Sequence, residues 1–489
     1  METIHFIDQT LRDAHQSLWG MRMRPREVLP VASLIDSVGF RVVDLAGWSH
    51  FVVRIREFGE NPWESLDLIS AAIPKSRLRA GSATSSIAVF NFTPRVLMEL
   101  SIQLNVRHGI GSYWILDCLY NLDKMENLCR TTKEAGAEAV PAIMYSLSPV
   151  HTDEYFASKV RAMASWGCVD AICIEDASGV LTPDRVRTLI PALTLAADGI
   201  PLELHCHNNT GLAPACYMEG IRHGIRILHT ATKSLANGPS LPATETMLDN
   251  VVRSGYSVDI DPSPLAEISD HFEWVALREG YPTGVLSDYH VFNYEHQLPG
   301  GMTGTLRNQL RKHGMEDRLA ATLDEIIIVR KELGYPVMAS PFSQFVGIQS
   351  LLNVTLGERY AAVPDETIMY LLGLFGEIPG SPDPDVVDKI MSSKRAQQLQ
   401  SWTPPEPTLD EVRQRLGRSL SDEDLLLSAL VEEDELKKMR GAGPVSTTFP
   451  NPVRDVVGLI KRLASDTDWQ RVDIDDSGLS LTLARSRVH

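Results

Sequence analysis

Basic residues are in short supply: 46 Lys and Arg stand against 63 Asp and Glu, for a formal net charge of -17. A nucleic-acid surface needs clustered cations to neutralise phosphates, so this balance excludes a broad one. Long apolar runs are missing as well. No segment stays apolar for the length a bilayer demands, and the opening "METIHFIDQTLRD" lacks the basic region and apolar stretch of an export leader. The 6 cysteines, Cys118, Cys129, Cys168, Cys173, Cys206 and Cys216, are scattered, several of them inside apolar runs. That usage fits reduced, buried thiols rather than a disulfide framework or a zinc knuckle. The expectation is a soluble cytoplasmic protein whose 489 residues form one large domain with smaller appendages.

What the chain does have, up to about Asn237, is alternation. Short apolar runs ("IHFID", "FRVVDLAG", "RLRAGSA", "YWILDC", "AEAVPAIMY", "AICIED", "PLELHCH", "IRILHTAT") are separated by amphipathic stretches such as "PREVLPVASLIDSVG" and "PDRVRTLIPALTLAADG". In these stretches apolar residues recur at spacings of three and four, which predicts helices. About eight strand and helix units predict a closed parallel barrel of the (β/α)8 TIM type, although an open doubly wound sheet gives similar local signals.

The placement of polar residues favours the barrel. The runs end in side chains able to do chemistry: Asp8 and Asp13, Asp44, Asp117, Tyr145, Glu175 and Asp176, His205 and His207, Thr230 and Thr232. In such barrels the strand C-termini converge on one mouth. Some of these polar residues read instead as helix N-caps, Ser178 and Thr182 among them. "HCHNN" at His205–Asn209 is the sharpest signal, because histidines at i and i+2 on a strand project to the same side and reach one cation. A site of two His with Asp13 and Glu175 suits zinc, manganese or a similar divalent ion, which would polarise a carbonyl and stabilise an enolate.

"DQTLRDAHQSLWGMRMR", "HCHNNTGLA", "YEHQLPGGM" and "ELGYPVMASPFSQFVGIQSLLNVTLGERYAAVPDE" together resemble the carboxyltransferase subunits of biotin-dependent enzymes. That family includes pyruvate carboxylase, the oxaloacetate decarboxylase alpha subunit and the transcarboxylase 5S subunit. The resemblance covers roughly residues 3 to 430 and implies a metal-bearing barrel with C-terminal helices forming a funnel for carboxybiotin, usually dimeric. It assigns Asp13, His205 and His207 as metal ligands, and Arg12 and Gln16 as substrate contacts. The fourth family ligand, a carboxylated lysine, falls on Glu175 of "IEDASG"; Glu already carries a carboxylate but is several bonds shorter. The family's pyruvate-binding Arg falls on Ala83, its proton-shuttling Thr on Pro239 with Ser240 beside it, and a Tyr on Phe90. Losing the Arg removes a bidentate carboxylate clamp, so the expected acceptor is not pyruvate. Arg12, Gln16, Glu175, Asp176 and Ser240 are the expected catalytic residues, and Asp117 and Lys233 the expected substrate contacts. His229 and Lys233 on the eighth strand read most simply as solvated loop cations.

No "MKM" biotin-attachment signal occurs, so biotin is expected in trans on a carrier. The implied partners are a biotin carboxylase subunit and a biotinyl carrier protein, with a homodimer inside a larger complex. The expected layout is a catalytic barrel over 1–293, a helical funnel over 294–401, a linker with an acidic helical segment over 402–440, and a linker with a small α+β tail over 441–489. The tail is read as a docking element or a plain terminal cap. Two other functions stay open: a biotin-independent metal-dependent decarboxylase or C–C lyase of the same barrel class, and a degenerate scaffold subunit.

Overall fold

The structure, a computed structural model, describes residues 2–86, 92–312, 314–450, 460, 463, 471–476 and 479–484. The chain separates into two compact units, Met1–Thr447 and Thr448–His489.

The alternating apolar runs form parallel strands β1 (Thr3–Asp8), β2 (Val42–Gly47), β3 (Leu78–Ala83), β4 (Ile110–Leu116), β5 (Glu138–Met144), β6 (Ile172–Asp176), β7 (Leu202–Cys206) and β8 (Ile227–Thr230). They pair in chain order, and β1 pairs with both β8 and β2, so the sheet closes into a (β/α)8 barrel. A short strand, Ser257–Val258, adds to the start of β1. Helices follow where the spacing predicts them. Pro25–Val38 opens with Pro in its first turn and ends on Gly39 at φ 82, a left-handed cap that glycine adopts without strain. Pro183–Ala196 is capped by the Thr182 side chain and buries Val186, Leu189, Ile190 and Leu193 at helical spacing against the barrel.

Register sorts the strand residues into two faces. Ile7 lies level with Val42 and His229, and Ile227 is one step lower beside His5. Ile7, Val42 and Ile227 form an apolar plug within the barrel. Polar residues share the interior with it: Arg79, Glu203 and His229, each at most 2% exposed. Gly81 allows β3 to approach β4: a Cβ there would sit 2.7 Å from the Trp114 carbonyl oxygen.

Helices Gly300–Lys312, Leu319–Glu332 and Phe342–Leu356 follow the barrel within the first unit. The stretch "SWTPPEPT", expected as a linker, is tied down: Glu406 Oε2 accepts from Arg95 N at 2.9 Å, and the Trp402 ring packs 5.6 Å from Phe92. The acidic segment after it forms helices Leu409–Leu416, Asp422–Leu430 and Glu433–Gly441. These return to the outer helices through Arg107–Asp422 at 2.8 Å and Arg56–Glu435 at 2.9 Å. In the second unit the two alternating runs form an antiparallel hairpin, Arg471–Asp476 with Leu479–Ala484. Most of the expected α+β tail other than these two strands lies outside the described residues, as does Phe90.

Candidate metal centre and active site

β1 ends at Asp8, and the chain then makes a π-helical turn, Thr10–Ala14, before the short helix His15–Trp19. Such turns are wider than an α-helix and recur at functional sites. This one carries Arg12 and Asp13 into the mouth. The Arg12 guanidinium pairs with Asp13 and lies 4.5 Å from the centre of the Trp114 ring, while Ser17 Oγ donates to Asp13 Oδ1 at 3.0 Å. Both oxygens of Asp13 are thereby oriented.

His205 on β7 and His207 just beyond it face that carboxylate. His207 Nε2 is 3.2 Å from Asp13 Oδ1, and His205 Nε2 is 3.8 Å from Asp13 Oδ2. All three residues are buried, and one ligand atom from each lies within 4.8 Å of the others. His207 Nδ1 donates to the Pro239 carbonyl at 2.7 Å, which leaves its Nε2 lone pair directed at the cluster. Neither His205 Nε2 nor His207 Nε2 has a hydrogen-bond partner among the described residues, although both are buried. Two orphaned imidazole nitrogens beside an oriented carboxylate are a donor set that fits a divalent cation. Before a cation binds, burial opposes charge on His207, but the Asp13 carboxylate prevails and raises the imidazole to about 9, so a divalent ion taken up here displaces that proton. Asp13 is held well below the usual carboxylate range, since His207 and Arg12 outweigh its burial.

Glu175 does not join this set of three. It lies level with His205 on the neighbouring strand, buried, and its Oε2 has no partner among the described residues. Burial raises its carboxyl to about 8, Arg12 opposing and Asp13 adding to the rise. The geometry thus departs from a four-ligand site, as the short Glu side chain would have it.

The other expected residues divide. Ser240 is fully buried behind the mouth; its carbonyl accepts from Asn208 N at 2.7 Å and its Oγ lacks a partner among the described residues. Gln16 is half-buried in the helix after Asp13, and Ala83 closes β3 at the mouth. Asp176 goes elsewhere. One residue past Glu175, it faces away from the barrel interior, where Oδ2 accepts from Leu181 N at 2.6 Å and Cys206 Sγ at 3.3 Å. Asp117 is likewise engaged in its own loop, accepting from Thr84 Oγ1 and from Leu119 N at 2.8 Å. Lys233 is exposed on a 3₁₀ turn and lines an outer groove with Glu245, Asp249, Asp270 and Glu273, a groove that includes none of the cluster residues.

Two expectations are overturned. His229 is no solvated cation: it is 2% exposed inside the barrel, with Nδ1 3.0 Å from His205 Nδ1. Ser178 is no helix cap, because its hydroxyl donates to the Gln297 carbonyl at 2.6 Å. Sequence reasoning also missed Arg79 and Glu203. The available signal was parity: Glu203 precedes His205 by two and must share its face.

The helical extension docks on this mouth through Gln297. Its Oε1 accepts from Leu147 N at 3.0 Å, and its Nε2 donates to Leu147 O at 2.6 Å. Gly300 permits close approach, since a Cβ there would lie 2.2 Å from Asn209 Oδ1.

Two family descriptions match the chain: "HMGL-like" over residues 3–271 and "Conserved carboxylase domain" over residues 294–451. A pyruvate carboxylase subunit from Methanocaldococcus jannaschii is 32% identical over 447 residues, covering 90% of this chain and 78% of that one. The methylmalonyl-CoA carboxyltransferase 5S subunit of Propionibacterium freudenreichii subsp. shermanii is 30% identical, with coverage of 87% and 85%. The 2-oxoglutarate carboxylase large subunit of Hydrogenobacter thermophilus is 29% identical, covering 93% of this chain and 71% of that one. The carboxyl transferase domain of Rhizobium etli pyruvate carboxylase, solved with 3-bromopyruvate, shares the fold at a TM-score of 0.81 and 23% identity, over 92% of this chain and 78% of that one. Barrel, extension and relatives agree, and the chain belongs to the carboxyltransferase family of biotin-dependent carboxylases.

Proposed function

We propose that this chain is the carboxyltransferase subunit of a multi-subunit biotin-dependent carboxylase. In this reading it moves a carboxyl group between carboxybiotin on a separate carrier and an enolisable acceptor other than pyruvate. The observation that carries the reading is the convergence of Asp13, His205 and His207 at the barrel mouth with two buried imidazole nitrogens unpartnered among the described residues. A divalent ion held there, zinc or manganese, would polarise an acceptor oxygen and stabilise the enolate form. The protein's own residues do the rest. Arg12 orients Asp13 and places fixed positive charge over Trp114 at the mouth. Gln16, in the helix after Asp13, and Ser240, next to the Pro239 carbonyl that holds His207, would serve as acceptor contacts. Glu175, held in its acid form by burial up to about pH 8, offers a proton at a carboxyl oxygen next to Arg12.

Support for a non-pyruvate acceptor comes from Ala83, which ends β3 at the mouth where the resemblance expects a carboxylate-binding Arg. An alanine cannot make the paired hydrogen bonds that clamp a carboxylate. The partners are then a biotin carboxylase subunit and a biotinyl carrier, with two copies of this chain in the assembly.

The test is purification of the tagged chain from its own host, with streptavidin probing, metal analysis and bicarbonate fixation assays. A co-purifying biotinylated chain with a carboxylase subunit, and fixation that does not depend on pyruvate, is the expected result. A metal-bearing chain without a biotinylated partner would overturn the reading in favour of a biotin-independent lyase. A chain with neither would leave a scaffold role.

A further inference from the structure

Behind His205, on the side away from Asp13, a line of buried polar groups runs across the barrel. Arg79 donates from NH1 to Glu203 Oε2 at 2.6 Å and from NH2 to Glu203 Oε1 at 2.9 Å, and from Nε to Ser112 Oγ at 3.0 Å. Glu203 Oε2 lies 3.0 Å from His229 Nε2, and His229 Nδ1 lies 3.0 Å from His205 Nδ1. Gln9 Nε2 is also 3.0 Å from His229 Nδ1, and bonds Asp44 Oδ2 at 3.0 Å. We propose that Arg79, Glu203 and His229 are positioning residues that fix His205 in the tautomer able to bind a cation, a proposal that rests on reading Asp13, His205 and His207 as metal ligands.

A carboxylate held by a bidentate guanidinium only accepts, so His229 must present an N–H at Nε2. The remaining nitrogen of a neutral His229, Nδ1, then carries a lone pair. That single lone pair is shared, in a three-centre arrangement, by the N–H groups of Gln9 Nε2 and His205 Nδ1, both 3.0 Å away. A proton on His205 Nδ1 leaves the lone pair of His205 on Nε2, the atom beside Asp13 that lacks a partner among the described residues. The opposite arrangement places a proton on His205 Nε2 and blocks a cation. Outer partners of this kind orient a ligating imidazole and raise its basicity. Arg79 sets the direction because its charge is permanent. Cys173, Glu203 and His229 also come within reach of one cation, but both Glu203 oxygens are already bound by Arg79, so that trio is better read as support than as a second site.

The test uses the intact chain, prepared metal-free as parent, His229→Phe and His229→Gln. Zinc affinity is measured against a competing chelator, cobalt binding by its visible spectrum, and the metal-free Tm by calorimetry. His229→Phe removes both polar atoms and should weaken zinc by about 10- to 100-fold, with an altered cobalt spectrum. Glutamine keeps an acceptor and a donor side by side, so His229→Gln should restore most of the affinity and the parent spectrum. Should His229→Phe fail to fold, His229→Leu removes the same atoms in less volume and takes its place. Parent-like zinc affinity in the apolar variant, or equal losses in the apolar and Gln variants, would overturn the relay while leaving the ligand assignment standing. A parent that takes up no divalent ion would overturn the ligand reading and the relay with it.

Discussion

At the scale of single residues, two predictions separate the roles of neighbouring side chains. His207→Ala removes one of three donors, so stoichiometric zinc should be lost while the metal-free Tm stays close to parent; a fully metallated variant would sink the ligand assignment. Glu175 makes a different prediction. Burial holds its carboxyl at about 8, whereas in the unfolded chain it titrates near the ordinary glutamate value. Between roughly pH 5 and pH 8 the folded form keeps a proton that the unfolded form has lost, so this group's contribution to stability falls as pH rises. Metal-free parent protein should therefore lose Tm across that window more steeply than Glu175→Gln, and parallel curves would refute the shift. Much of this candidate site was legible in the sequence, because His205 and His207 lie at and just past the end of β7 and Asp13 in the turn after β1, where a polar residue has no packing reason to be. Arg79 and Glu203 were missed, although parity alone puts Glu203 on the face of His205. They lie within "RLRAGSA" and "PLELHCH", where an inward charge reads like an ordinary outward one until the partner across the barrel is known. Asp176, Asp117 and Lys233 show the converse: a strand-end carboxylate or lysine is equally useful for holding a loop or facing solvent.

At the scale of elements, the barrel helices were readable from periodicity and caps, and the helical extension expected over 294–401 does contain the helix Leu319–Glu332. The contact between barrel and extension was not, since it rests on individual polar side chains, Gln297 and Arg330 among them, rather than on a periodic face. Gln297 satisfies both the N–H and the carbonyl of Leu147, and its own carbonyl accepts from Ser178. Gln297→Ala leaves the Leu147 N–H to find water or go unpaired and its carbonyl to Arg330 alone, a loss of about 1–3 kcal/mol for a buried group left unsatisfied. The expected outcome is a lower Tm and faster amide exchange at residues 146–148. Unchanged exchange would mean that the Arg330 contacts, NH2 to Ser146 Oγ at 2.9 Å and to Leu147 O at 3.0 Å, hold the loop unaided. The prolines of "SWTPPEPT" predicted an interruption of regular structure and said nothing about where the interruption is anchored, which is how a strap came to read as a linker.

At the scale of the whole molecule, the first unit holds the barrel, the extension, the acidic helices and every proposed ligand, while the second consists of Thr448–His489. A chain ending at Thr447 should retain the parent's zinc content and main thermal transition, and loss of either would show that the terminal unit supports the site. If that terminal unit is a docking element, the same truncation should release co-purifying subunits while metal is retained. The closure of β1 against β8 bears on how the site comes into being on the ribosome. Asp13 emerges early in synthesis, yet its histidine partners and the strand that seals the sheet appear only after most of the barrel has been translated. A nascent chain halted before β8 carries all three proposed ligands on a sheet whose edge is still open, and has every reason to wait for metal until the last strand closes.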